Sequence, residues 1–248
     1  MAMKTKEMLT SLTLIAVAMM TSAAGCSSDN DDSKTFDKWA SLVNETKQDV
    51  QVNGSTVAYG AHTYTIINET SVSFTNIPSG YTEFEAIYSA LLGKDVVGTA
   101  AMIPMAMEIY ARNNATGQKC IELLCGTDNA TTMIRSLQSK FQATSANDND
   151  TYIQRYLPAA LLKGAMPTNA YTPAMPYMVE TAPSVNKPQT VTGGTVTFLY
   201  ILTSGGWNSA QRQVEIYKKT GSNHYTVYNC PSVYTQCQGI VGTWGGLR

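Results

Sequence analysis

Between Asp95 and Tyr110 the chain carries Val96, Val97, Ala100, Ala101, Met102, Ile103, Met105 and Met107, apolar residues on almost every side of a helix. A surface helix shows one apolar stripe, whereas a helix that is apolar all round has to be buried on all sides. The segment is shorter than the roughly 20 residues that a helix needs to cross a bilayer. It is therefore read as the central helix of a folded core. Pro104 is expected to kink it or to begin a second segment.

The flanking sequence says what surrounds that helix. Thr82 and Glu85 have capping-box spacing. Phe84, Ile87, Tyr88, Leu91 and Leu92 then follow helical spacing up to Gly93, which suits a helix C-terminus. Shorter helices are predicted at 118–125, at 130–141 (Met133, Ile134, Leu137, Phe141) and at 150–163 (Tyr152, Ile153, Tyr156, Leu157), the last ended by Gly164. On the N-terminal side, Thr56–Tyr59, His62–Ile67 and Ser71–Phe74 alternate with period two, with turns at Asn53-Gly54 and around Asn68 to Thr70. After a proline-rich stretch from 165 to 190, read as a long extended connection, Thr195–Thr203, Gln211–Lys218 and His224–Asn229 read as an antiparallel meander. Gly239 to Trp244 is a candidate edge strand. The expected class is α+β, a central block of short helices (82–163) flanked by N-terminal strands and a C-terminal β part (175–248). All of it falls in one domain over 35–248, opened by a helix at 35–47 with Phe36, Trp39, Leu42 and Val43 on one face.

The first 25 residues have another character. Lys4 and Lys6 precede an apolar run from Leu9 to Met20 and the small residues Ser22-Ala23-Ala24-Gly25, the build of a secretory signal. With Cys26 directly behind, the segment resembles the bacterial lipobox, although Ala23 stands where that pattern prefers leucine. The resemblance implies that Cys26 is diacylated and becomes the mature N-terminus, so that membrane lipid is a partner. Residues 26–34, rich in Asp and Ser, cannot bury enough surface to fold and read as a flexible tether. They resemble the acidic export signal of surface lipoproteins of the Bacteroidetes, which implies the cell-surface side of an outer membrane; a periplasm-facing anchor is the alternative.

Charge and cysteines narrow the partners. Of 17 basic and 18 acidic residues, the leader holds Lys4, Lys6 and Glu7, which leaves a slightly acidic domain without a basic stripe and argues against nucleic acid. Beyond Cys26 the cysteines are Cys120, Cys125, Cys230 and Cys237. Cys120 and Cys125, five apart on a helix, point in different directions; a Cys230–Cys237 loop, or one cross-bridge from helix to tail, is easier to build. Four and six intervening residues do not fit zinc-ligand spacing, and no metal or cofactor is expected.

Catalytic patterns fit poorly. A hydrolase triad needs a histidine base, yet His62 and His224 both fall inside strand-like segments. No Gly-x-Ser-x-Gly elbow or His-Glu-x-x-His is present. A glycosidase pair has to come from Glu83, Glu85, Asp95, Glu108, Glu122, Asp128, Glu180 and Glu215, among which spacing does not choose. The catalytic residues are thus unknown. Tyrosine, with 14 residues, is abundant, and Trp207, Tyr217, Tyr228 and Trp244 are the candidate ligand-binding residues, an aromatic platform for a sugar ring or a peptide. The expectation is a binding module for an extracellular glycan or peptide. The alternatives are a hydrolase acting on envelope or dietary polymers and a structural subunit of an envelope complex.

Four segments carry a family resemblance: Ala101-Met102-Ile103-Pro104-Met105-Ala106-Met107-Glu108-Ile109-Tyr110, Tyr156-Leu157-Pro158, Asn169-Ala170-Tyr171-Thr172-Pro173 and Arg212-Gln213-Val214. They resemble a family of gut-bacterial, Bacteroidetes-type lipoproteins that carries a domain of unknown function. The resemblance implies no established activity and transfers no functional residue.

Overall fold

The structure is a computed structural model that describes residues 47–141 and 156–241. The chain divides into Met1–Lys34 and Thr35–Arg248, and every described residue belongs to the second unit. The expected helix at 35–47 lies outside the described residues except for Lys47, which is not helical.

Among the described residues, nine strands form one antiparallel sheet and five α-helices pack beside it. Four strands open the fold: β1 (Val50–Asn53), β2 (Thr56–Tyr59), β3 (His62–Ile67) and β4 (Ser71–Phe74). Next come α1 (Tyr81–Ala90), α2 (Val96–Arg112), α3 (Asn114–Cys125), α4 (Thr127–Phe141) and the single turn α5 (Leu157–Ala160). The chain closes with β5 (Tyr177–Pro183), β6 (Gln189–Val191), β7 (Gly194–Leu202), β8 (Gln211–Lys219) and β9 (Tyr225–Asn229). The α+β class is as the sequence indicates, with one addition. The two β regions are a single sheet, because β5 pairs with β4 over Tyr177–Glu180 and with β7 over Thr181–Pro183.

Alternation decides which residues face the helices. Val57, Tyr59, Tyr64, Val72, Phe74, Val179, Leu199, Ile201, Val214, Ile216 and Val227 point to one side and form the core with the helices. The apolar segment takes the place its composition requires. α2 runs across β4, β5, β7, β8 and β9, and Val97 to Tyr110 is buried without interruption. Burying each large apolar side chain of this kind contributes about 2 kcal/mol.

Several local expectations are corrected. Gly80 is the N-cap of α1, so Thr82 falls within the first turn and makes no cap; Glu83 instead accepts the Ser79 backbone N–H at 2.8 Å. Pro104 begins no second segment: it sits inside α2, which runs on to Arg112. The expected helix at 150–163 is, where described, one turn with Pro158 at its start, because the Lys163 N–H pairs with the Met178 carbonyl in place of continuing a helix. The proline-rich stretch is not one extended connection: it holds a 3-10 turn at Pro167–Asn169 and the strand β5. Residues 239–241 form no edge strand. Their neighbourhood is tied to irregular segments, with Gln238 N–H on the Gly206 carbonyl and Val241 N–H on that of Pro167.

Candidate functional site

The side of the sheet turned away from the helices differs from one end to the other. Over β2 to β4 it presents small hydroxyl residues, and Thr56 and Thr65, paired in register, share a hydrogen bond of 2.9 Å. Over β7 to β9 it becomes aromatic. Cross-strand register sets Tyr217 beside Val196 and Thr226, Glu215 beside Phe198 and Asn229, and Gln213 beside Tyr200. Tyr217 and Tyr228 have ring centroids 6.0 Å apart, tilted by 40°. Phe198, Tyr200, Tyr217 and Tyr228 stand outside the hydrophobic core, and Tyr228 is 44% exposed. Glu215 accepts a 3.4 Å hydrogen bond from the Asn229 amide, which places a carboxylate and an amide among the rings. Gly194 lets the Tyr217 ring pack close over the turn, since a Cβ there would collide with the Tyr217 ring and the Lys218 carbonyl.

Of the four aromatic residues singled out in the sequence, Tyr217 and Tyr228 come together on this face. Trp207 does not. It is buried in the core, its Nε1–H donates to Thr235 Oγ1 at 3.1 Å, and the Arg212 guanidinium covers its ring at 4.7 Å. Trp244 lies outside the described residues. Glu215 is offered in the sequence only as one of eight possible glycosidase carboxylates and Tyr200 only as one of many tyrosines, while Phe198 and Gln213 carry no signal of their own; β7 is apolar in both phases, Phe198 and Tyr200 alternating with Leu199 and Ile201. Only the direction of the helices tells the two phases apart.

The carboxylates weighed as catalytic are mostly committed within the fold. Glu83 accepts from Tyr64 OH (2.7 Å) and Ser79 N–H and lies 2.7 Å from His62 Nδ1. Glu85 accepts from Tyr81 OH, and Asp95 caps α2 through the N–H groups of Val97 and Gly98. Glu108 pairs with Arg112 at 2.8 Å and Glu180 with Lys163 at 2.7 Å. Burial raises the pKa of Glu108, with the Arg112 charge opposing the rise. His224 stacks on Tyr88, at 5.5 Å between ring centroids, and places Nε2 3.3 Å from the Ser89 carbonyl. No group of three or more His, Cys, Asp and Glu able to hold a metal occurs among the described residues.

Beside β9 lies a pocket of about 250 Å³ lined by Cys125 and Met133 from α3 and α4, by Tyr228 and Asn229 of the strand itself, and by Cys230 and Tyr234 beyond it. The four cysteines downstream of Cys26 are buried thiols, and the expected Cys230–Cys237 bridge is not formed. Those two face different neighbours: Cys230 lines the cavity with Cys125, whereas Cys237 sits beside Tyr171.

Fold and face together define an α+β protein with helices on one side of an antiparallel sheet and aromatic residues on the other. The family profile described as Domain of unknown function (DUF6935) matches residues 76–241, and the chain belongs to that family. The match takes in α1 to α5 and β5 to β9, so β1 to β4 extend the family's sheet at β5. Neither the curated proteins nor the solved structures give a significant match. Among the described residues no helix is long and apolar enough to cross a membrane.

Proposed function

We propose that the protein binds a neutral extracellular glycan on the outer face of β7 to β9, held at an outer-membrane surface by acyl chains on Cys26. The observation that carries the reading is the set of four aromatic side chains, Phe198, Tyr200, Tyr217 and Tyr228, that the fold holds outside its core. Aromatic rings present a flat apolar surface of the kind that packs on the C–H face of a pyranose, and a tyrosine adds a hydroxyl at its rim. Gln213, Glu215 and Asn229 supply acceptors and donors for sugar hydroxyls at the same level. A carboxylate at Glu215 disfavours uronates and sulfated sugars by like-charge repulsion, which points to neutral or amino sugars. The commitment of Glu83, Glu85, Asp95, Glu108 and Glu180 to partners inside the fold favours binding over hydrolysis.

The location rests on the leader, the small residues before Cys26 and the acidic tether, a Bacteroidetes-type lipoprotein pattern. The binding reading is tested by affinity electrophoresis and calorimetry against soluble neutral polysaccharides, polygalacturonate and extended peptides. The Tyr217→Ala, Tyr228→Ala double variant is expected to bind neutral glycan at least about tenfold more weakly while its melting temperature stays within a few degrees. Equal affinity in the variant, or binding confined to peptides or to polygalacturonate, overturns the reading.

A further inference from the structure

We propose that the segment 35–46, through Phe36, Trp39, Leu42 and Val43, packs over Val50 and Val52 of β1 and completes the helix layer at that edge of the sheet. β1 pairs with β2 so that Val52 stands opposite Val57 and Val50 opposite Tyr59, and the first of these rows runs on through Tyr64 and Phe74. This is the side of the sheet that meets the helices. Val57, Tyr64 and Phe74 are 0% exposed and Tyr59 4%, whereas Val52 is 52% and Val50 41% exposed. Two rows of the core thus run out to the edge strand and end there on open valines. A lone exposed valine is ordinary. Two that close adjacent rows of the core side leave a strip of apolar surface, whose contact with water costs about 25 cal/mol per Å².

The segment that adjoins this strip has the matching chemistry. Residues 35–46 lie outside the described residues and are joined to β1 by Lys47, Gln48 and Asp49 alone, a connection of the length that ordinarily turns a helix back onto the strand that follows it. Phe36, Trp39, Leu42 and Val43 recur at helical spacing, and Asp37, Lys38, Ser41, Asn44 and Glu45 fall on the opposite side. A second copy of the chain is disfavoured by size, since a strand of four residues offers far less than the roughly 1,000 Å² of a specific interface. A lipid surface is disfavoured by charge. Helices that lie in a membrane interface are rich in Lys and Arg on their polar side, and here Asp37 and Glu45 stand against Lys38. Packed on β1, the segment also shortens the tether: from Cys26 to Thr35 the chain reaches at most about 30 Å, against about 80 Å to Val50 with the whole stretch loose. That consequence rests on lipidation of Cys26; the packing does not.

The test compares the whole chain, purified in detergent, as wild type, Trp39→Ala, the Val50→Ser, Val52→Ser double variant and the three substitutions together. Trp39→Ala and the valine pair are each expected to lower the melting temperature by about 5 °C, and the triple variant by little more than either, because both remove one contact. Trypsin should cut after Lys38 at least about tenfold faster in the valine variant than in the wild type, since cleavage follows the population of the opened segment. Losses that add in full overturn the proposal. So does a Lys38 site whose cleavage the valine substitutions leave unchanged, which would give the segment to detergent or lipid. A concentration-dependent dimer that the valine substitutions dissolve would give the strip to a second copy and overturns it as well. None of these outcomes bears on glycan binding at β7 to β9.

Discussion

Glu83 Oε1 lies 2.7 Å from His62 Nδ1, joining the first turn of α1 to the start of β3. The two partners differ in burial: the Glu83 side chain is 1% exposed and that of His62 31%. The same carboxylate takes the Tyr64 hydroxyl and the Ser79 N–H, so it satisfies three donors at the junction between β1–β4 and the family domain. Leaving buried donors unpaired costs about 1 to 3 kcal/mol each. Glu83→Ala is expected to lose about 3 kcal/mol in urea unfolding, and His62→Ala less than about 1 kcal/mol. Equal losses from the two would show that His62, not the buried donors, carries the contact.

Arg112 holds the charge of the buried Glu108. Breaking a buried pair by removing one partner costs about 3 to 5 kcal/mol. Arg112→Met is expected to sit at the low end of that range at pH 7. Burial raises Glu108 above its ordinary carboxyl value, so the folded form holds a proton that the unfolded chain gives up, and stability falls as pH rises through that interval. Removing Arg112 removes the influence that opposes the rise. The cost of the variant should shrink as pH is lowered from 7 to 5, measured as urea midpoints at both values.

Alkali acts on other groups in the same sense. Burial pushes Tyr88, Tyr234 and Cys125 up to about 12. Each is neutral when protonated, so its contribution is complete below its unfolded value, about 9 for thiol and 10 for phenol, and is lost as pH climbs toward 12. Tyrosinate absorbance should rise in two stages, exposed residues first and these buried ones together with loss of far-ultraviolet ellipticity. A single stage near 10 with the fold intact would contradict the burial of Tyr88 and Tyr234.

Gly117→Ala sets local preference against packing. Alanine is favoured over glycine in a helix by about 1 kcal/mol. Here the added Cβ would collide with the backbone and side chain of Tyr110, where α3 crosses α2. Overpacking of this kind costs about 1 to 3 kcal/mol, and the contact is with backbone, which does not yield. The variant is expected to melt lower than the wild type, and a gain in melting temperature would place the two helices farther apart.

The lipid reading is checked by Cys26→Ser in the native cell. The variant should leave the membrane fraction and lose the diacylglycerol mass on its N-terminal peptide. One acyl group gives only marginal anchoring, whereas two or more hold a protein stably, so the shift should be nearly complete. Unchanged fractionation would remove Cys26 as the anchor.

Much of this architecture is written locally in the chain. The unbroken apolar run from Val96 to Met107 demanded burial on all sides, and the helix it forms is the one that crosses the sheet. Period-two alternation placed β2, β3, β4, β7, β8 and β9 nearly to the residue, because alternation and turn chemistry are properties of neighbouring residues. The site was legible only in part: Tyr217 and Tyr228 could be picked out as aromatic, yet Trp207 had the same composition around it and went into the core.

What only the tertiary structure decided is everything that depends on long-range register. The pairing of β4 with β5 joins segments more than a hundred residues apart, and no local pattern encodes a partner at that separation. The side of β7 that meets the helices, and hence whether Phe198 and Tyr200 or Leu199 and Ile201 face solvent, follows from where α2 lies. The placing of Cys125 and Cys230 on one cavity has the same origin. Sequence fixes which residues must leave water, and the closing of the sheet around α2 selects which of them meet.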